Sequence, residues 1–159
     1  MKRLLSIVLC TVTVLSLCLA ALPKTALAEL VDPSCSIDAD VYVKQSGSIF
    51  QYSLNHGADW NDYSGTLMIS GRSSVNNIVV DGAGTAANPV KIALNSINIT
   101  LDATVAKSAL ELKNNACVEL TLIGENTLKN ADQFAAAVRV PAGCTLTIKG
   151  ASSSARLTA

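Results

Sequence analysis

Downstream of residue 65 the chain alternates apolar and polar positions in short runs. Ile97, Ile99 and Leu101 flank Asn98 and Thr100; Val118, Leu120 and Leu122 flank Glu119 and Thr121; Cys144, Leu146 and Ile148 flank Thr145 and Thr147. A period of two, rich in β-branched residues, predicts strands with one buried face. One strand recurs as Ile78-Val79-Val80-Asp81, Ile99-Thr100-Leu101-Asp102, Leu120-Thr121-Leu122-Ile123 and Leu146-Thr147-Ile148-Lys149, at intervals of 21, 21 and 26 residues. A repeat of that size predicts a solenoid. Each unit holds a second short strand, at 91–94, 109–112 and 137–140, and turn residues such as Asn114-Asn115 and Pro141-Ala142-Gly143 punctuate the runs. The unit is too short for a strand-plus-helix horseshoe, and no later stretch has a helical face. The expected fold is all-β, a parallel β-helix in which equivalent residues of successive turns stack at about 4.8 Å. An antiparallel sandwich of hairpins is the alternative that the strand spacing allows; near-identical recurrence of one strand favours the coil.

The first 28 residues have a different pattern. Lys2 and Arg3 precede an uncharged run from Leu4 to Leu22, and Ala26-Leu27-Ala28 closes the segment. A basic start, an apolar stretch and an A-x-A site predict a secretory signal peptide at 1–28, cut after Ala28. An uncleaved membrane anchor is the competing reading. The expected organisation is then a signal peptide at 1–28, an irregular capping segment at 29–64 and β-helix repeats at 65–159. The whole chain has 12 basic and 12 acidic groups, and removal of 1–28 leaves 9 basic against 12 acidic. That balance argues against nucleic acid or an anionic membrane surface as the partner once the signal is gone; the signal peptide itself leads to the expectation of a secreted or cell-surface protein. Cys35, Cys117 and Cys144 remain, an odd number that no closed disulfide framework uses up.

Candidate chemistry is sparse. The 21-residue interval puts Asp81 and Asp102 at equivalent positions. Stacked carboxylates repel, and a hard cation such as calcium would relieve them; the plainer reading makes both solvated turn residues. Five of the six aromatic residues, Tyr42, Phe50, Tyr52, Trp60 and Tyr63, fall between 42 and 63. Trp60 and Tyr63 are candidates for a sugar-stacking platform, and the same cluster suits a plug over the first open turn of the coil. His56, the only histidine, sits in an Asn-His-Gly-Ala turn and reads as a surface loop. A polysaccharide lyase would need a basic residue such as Arg139 or Lys149 beside an acidic, calcium-binding cluster. Glu111 and Glu119 lie outward on strands and read as solvated charges rather than a glycosidase pair. The expectation is a protein that is not an enzyme.

The stretch from Ile97 to Gly150 resembles the β-helical carbohydrate-binding domains found on the surfaces of Firmicutes. The resemblance is carried by Ile99-Thr100-Leu101-Asp102, by Val118 to Leu128 (VELTLIGENTL) and by Val140 to Gly150 (VPAGCTLTIKG); Gly65 to Gly71 (GTLMISG) is similar to the opening of such surface repeats. It implies a right-handed parallel β-helix and binding of an acidic or cell-wall polysaccharide, with calcium able to take part. The chain ends on the strand-like Arg156-Leu157-Thr158-Ala159 without a visible cap or sorting signal, so the coil is expected to be incomplete at its C-terminus. A structural stalk or adhesin repeat and a lyase-like enzyme are the alternatives to a binding module.

Overall fold

A computed structural model describes residues 32–132 and 135–159; the predicted signal peptide lies outside them. The described residues form thirteen strands and no helix. They run as β1 (Ser34–Ser36), β2 (Val41–Ser46), β3 (Ile49–Ser53), β4 (Asn61–Tyr63), β5 (Thr66–Ser73), β6 (Ile78–Asp81), β7 (Val90–Leu101), β8 (Leu110–Lys113), β9 (Cys117–Ile123), β10 (Glu125–Asn130), β11 (Val138–Arg139), β12 (Thr145–Gly150) and β13 (Arg156–Thr158).

The fold is a parallel β-solenoid with about three full turns. One face is the parallel ladder β1-β5-β7-β9-β12. A corner then turns the chain onto a second face, where the later half of β7 pairs with β10 and β10 with β13, all parallel. The third face is β2-β6-β8-β11, again parallel. Each turn visits the three faces in order before climbing to the next.

The period-two pattern explains why these segments are strands: inward residues stack into apolar columns. Leu67, Ile92 and Leu120 are neighbours in one column, as are Ile69, Leu94 and Leu122 in the next. On the third face Ile78 sits beside Leu110 and Val80 beside Leu112. Nearly all of these side chains are completely buried, and each full burial contributes about 1.5–3 kcal/mol.

The register differs from the spacing read in the sequence. Ile92 lies beside Leu120 and Leu120 beside Ile148, steps of 28 residues, while Ile78 and Leu110 are 32 apart. The 21-residue recurrence matched strands of different faces: Ile78–Asp81 is on the third, Ile99–Leu101 on the second and Leu120–Ile123 on the first. All inward-facing strands carry the same alternation, so similarity between them does not identify which ones stack.

The corner between the first two faces has a physical signature. Gly71, Ser96 and Gly124 all take positive φ there, at 99°, 51° and 70°. A Cβ on Gly124 would approach Ser96 Oγ to 2.6 Å, so a larger residue would force the serine side chain aside in addition to the cost of the left-handed backbone. Beside it the buried Asn126 accepts the Ile97 N–H through Oδ1 (3.1 Å) and donates through Nδ2 to the carbonyls of Ile123, Gly124 and Arg156. One side chain thus ties three successive turns together.

Of the segment expected to be a cap, residues 32–64 are described, and they contribute more than a cap. Within it β1 and β2 already run parallel to β5 and β6, so the coil reaches back into this region. The cap itself is the antiparallel extension β2-β3-β4, which covers the edge of β2. Phe50, Tyr52 and Tyr63 pack together over the end of the core, with ring centroids 5.9 Å (Phe50–Tyr63) and 6.0 Å (Tyr52–Tyr63) apart.

Candidate functional site

The outer surface of the third face gathers most of the polar and aromatic chemistry. Residues that alternate with the inward columns line up across the strands: Tyr42, Val79, Glu111 and Arg139 form one row, and Lys44, Asp81 and Lys113 the next. The antiparallel cap extends the second row to Gln51 and Asp62, which are joined by a 2.6 Å hydrogen bond.

At the capped end a loop folds over β2. Its anchor is Ser53, fully buried, whose Oγ accepts the N–H groups of Asn55 (3.3 Å) and Gly57 (3.0 Å) and donates to Asn55 Oδ1 (2.8 Å). Asn55 in turn binds Asp59 through both its amide oxygen and nitrogen. These bonds set the loop so that His56 lies against Tyr42, with centroids 5.7 Å apart and Nδ1 at 3.4 Å from the tyrosine hydroxyl. Trp60 is half-exposed and has Lys44 Nζ 3.8 Å from its ring centroid, a cation–π contact.

At the other end of the same face is a cleft of about 490 Å³. Ala106, Ala135 and Ala136 give it small apolar walls, and Lys107, Ser108, Glu111, Asp132 and Arg139 supply its polar groups. Both cations are held. Lys107 Nζ lies 2.6 Å from Asp40 Oδ1, and Arg139 Nη1 donates to Glu111 Oε1 at 3.0 Å. The second oxygen of Glu111 meets Lys113 at 3.2 Å. Asp40 is buried; it also accepts the Asn77 N–H and lies 3.8 Å from His56. Asp40 therefore links the aromatic loop to the cleft. Such an arrangement presents fixed hydrogen-bond donors beside small apolar surface, which suits a polar ligand with apolar C–H faces.

The structure redistributes the residues expected to carry function. Trp60 is on the outer surface, whereas Tyr63 is buried to 7% exposure inside the aromatic plug and cannot serve as a sugar platform. Its hydroxyl has no hydrogen-bond partner, and burial, with the neighbouring Cys35 adding to it, raises its pKa. Asp81 and Asp102 are not brought together. Asp81 stands on β6 opposite Lys113 and accepts from Asn114 Nδ2 at 2.6 Å, while Asp102 follows β7 and is bonded through its N–H to the Ser74 carbonyl. The stacked pair expected to hold calcium rested on the 21-residue register and does not form, and no cluster of three or more His, Cys, Asp or Glu suited to a metal occurs among the described residues.

The lyase and glycosidase candidates are also apart. Arg139 binds Glu111 on the third face, and Lys149 binds Glu119 at 2.6 Å on the first. That contact holds the Glu119 carboxyl below the usual carboxylate range. Cys35, Cys117 and Cys144 are free thiols, all half-buried. No helix among the described residues is long and apolar enough to cross a membrane.

The cleft was missed in the sequence because Lys107, Glu111, Asp132 and Arg139 come from separate turns and loops. The available signal was the polar partner of each buried strand residue, which becomes informative only once the register is known. In comparison with known proteins, the chain matches no protein family, no curated protein and no solved structure.

Proposed function

We propose that this is an exported carbohydrate-binding module that holds a stretch of linear polysaccharide along the outer surface of its third face and does not turn it over. The observation that carries the reading is the placement of the half-exposed Trp60 and the Lys107–Arg139 cleft on one face, with Asp40 meeting Lys107 at 2.6 Å and His56 of the aromatic loop at 3.8 Å between them. Four strands at about 4.8 Å spacing give a strip long enough for several sugar rings. Tethered cations favour a polymer bearing carboxylates, since a guanidinium engages carboxylate oxygens with two donors. The segment 1–28 supports export, and an extracellular polysaccharide is the partner that location offers.

The test is a glycan array covering acidic and neutral polysaccharides, run with calcium and with a chelator. Retention of acidic polymers is expected, with Arg139→Ala weakening binding by about tenfold or more through loss of charge-assisted hydrogen bonds, and Trp60→Ala by several-fold. A chain that retains no glycan in either condition acts instead as a structural stalk, and the reading fails. Release of unsaturated, ultraviolet-absorbing products from a bound polymer would make the protein a lyase.

A further inference from the structure

The two oxygens of the buried Asp40 carboxylate are served unequally. The side chain is 8% exposed. Oδ1 takes both donors, Lys107 Nζ at 2.6 Å and the Asn77 N–H at 2.9 Å. Oδ2 receives no hydrogen bond from the described residues; the group that faces it is His56 Nδ1, at 3.8 Å. A buried carboxylate oxygen without a donor is costly. The side chain set before it is of the type whose ordinary titration falls between about pH 5 and 8.

His56 is held in that place by its loop. Its φ is 56°, a conformation that residues other than glycine seldom adopt, and Ser53 Oγ fixes the turn by accepting the N–H groups of Asn55 and Gly57 on either side. The imidazole is 74% exposed, so it exchanges protons freely with solvent. Four titratable or charged groups stand around the pair. Tyr42 on β2 has its hydroxyl 3.4 Å from Nδ1. Lys107, from the loop before β8, occupies the far oxygen of Asp40. Asp59, in the loop itself, accepts Asn55 Nδ2 at 2.5 Å. Lys44 on β2 lies over the Trp60 ring. With the imidazole neutral, the Tyr42 hydroxyl donates to Nδ1, which then has no proton for Asp40. With the imidazole charged, Nδ1–H turns to the carboxylate in preference to the phenol oxygen, because a bond between two ionised groups is the stronger one. Trp60 belongs to the same loop. A Cβ on Gly57 would lie 3.1 Å from its ring, so the indole packs on the residue that follows His56.

We propose that His56 and Asp40 form a pH-operated latch on the loop that carries Trp60. Protonation of His56 draws Nδ1 onto Asp40 Oδ2 and fixes the ring; deprotonation releases it. The latch closes toward the acid end of the range over which histidine titrates and opens toward the alkaline end. Its consequence for ligand rests on the carbohydrate-binding reading above: polysaccharide is retained more strongly on the acid side.

Trp60 is the only tryptophan, so its quenching by acrylamide reports the loop with no ligand present. On passing from about pH 7.5 to about pH 5.5, quenching should fall by about twofold as the loop closes. His56→Gln keeps an amide beside Tyr42 but cannot take up the charge, and it should be quenched alike at both pH values. Asp40→Asn should lose at least about half of the change. Urea unfolding at the higher pH, with the same midpoint for His56→Gln as for the unaltered chain, shows that this variant is folded, and it decides the matter even where Asp40→Asn fails to fold. Constant quenching of the unaltered chain, or an undiminished change in His56→Gln, would overturn the latch. A pH step in a chain that retains no glycan leaves the latch standing and removes the binding reading; glycan retention without a pH step does the reverse.

Discussion

The first and last turns use the same strand pattern and meet different fates. In the first, β3 and β4 cover the edge of β2, and Phe50 and Tyr63 fall to 8% and 7% exposure. In the last, Ile148 occupies the same inner column as the fully buried Ile92 and Leu120 yet is 46% exposed. Alternation selects which side chains point inward; it does not bury them. Burial of a turn in a solenoid requires a neighbour on each side, because one turn alone has no closed core. The capped end supplies that neighbour with an antiparallel hairpin and aromatic rings, a solution that no repeat pattern encodes.

The sharpest way to break this contrast is to make the same kind of cut at two levels of one column. Leu120→Ala leaves a cavity among Ile92, Ile148 and the facing columns and should cost about 3–4 kcal/mol in urea unfolding. Ile148→Ala removes a side chain that water already reaches and should cost less than about 1 kcal/mol. Equal losses would mean that Ile148 is covered in solution. Dependence of the Ile148→Ala loss on protein concentration would then point to a second copy as the cover.

How much of this was legible beforehand follows from what alternation encodes. The all-β solenoid was readable, as were the inward residues Ile97, Ile99, Leu101, Val118, Leu120 and Leu122, all buried. The turn at Asn114-Asn115 is also visible in the sequence, and both residues adopt positive φ. Register was not readable. The loops between faces differ in length, and the apolar strands are too alike to show which ones stack. An error in register moved Asp102 from the second face onto the level of Asp81 on the third, and with it went the metal pair. For the aromatics, composition located the cluster but not each ring. Tyr63 pairs with Phe50 on the inner side of the cap, whereas Trp60 precedes β4 and emerges on the outer side.

A smaller effect tests what holds turns to one another apart from the apolar columns. Asn126 is 2% exposed and bonds the turn of β7, its own turn and the last turn at once. Asn126→Ala leaves the Ile97 N–H without its partner and should cost about 2 kcal/mol. Asn98, whose side chain accepts only from Thr100 on the outer surface, should tolerate alanine within about 0.5 kcal/mol. If both changes cost the same, the corner is held by the backbone ladder, and the asparagine is incidental to stacking.

The smallest effect concerns the thiol at the capped end. Cys35 stands in register with the buried Ile69, and burial pushes its pKa up from the ordinary 9.0 to about 11. The folded chain therefore keeps this proton after the unfolded chain has lost it. Its contribution to stability is fully present below pH 9, declines as pH rises from about 9 to 11 and levels off above that window. Because the group is only half-buried, the slope should stay well under about 1.4 kcal/mol per pH unit, and Cys35→Ala should flatten it. The kinetic counterpart is larger: at pH 8 the thiolate fraction of Cys35 in the folded protein is lower than in the unfolded chain by about a hundredfold. Alkylation with iodoacetamide, mapped by peptide mass, should label Cys35 correspondingly slowly until denaturant is added. Equal labelling rates in the folded and unfolded chains would show that the first turn opens readily, and the contrast between a closed start and an exposed end would lose its basis.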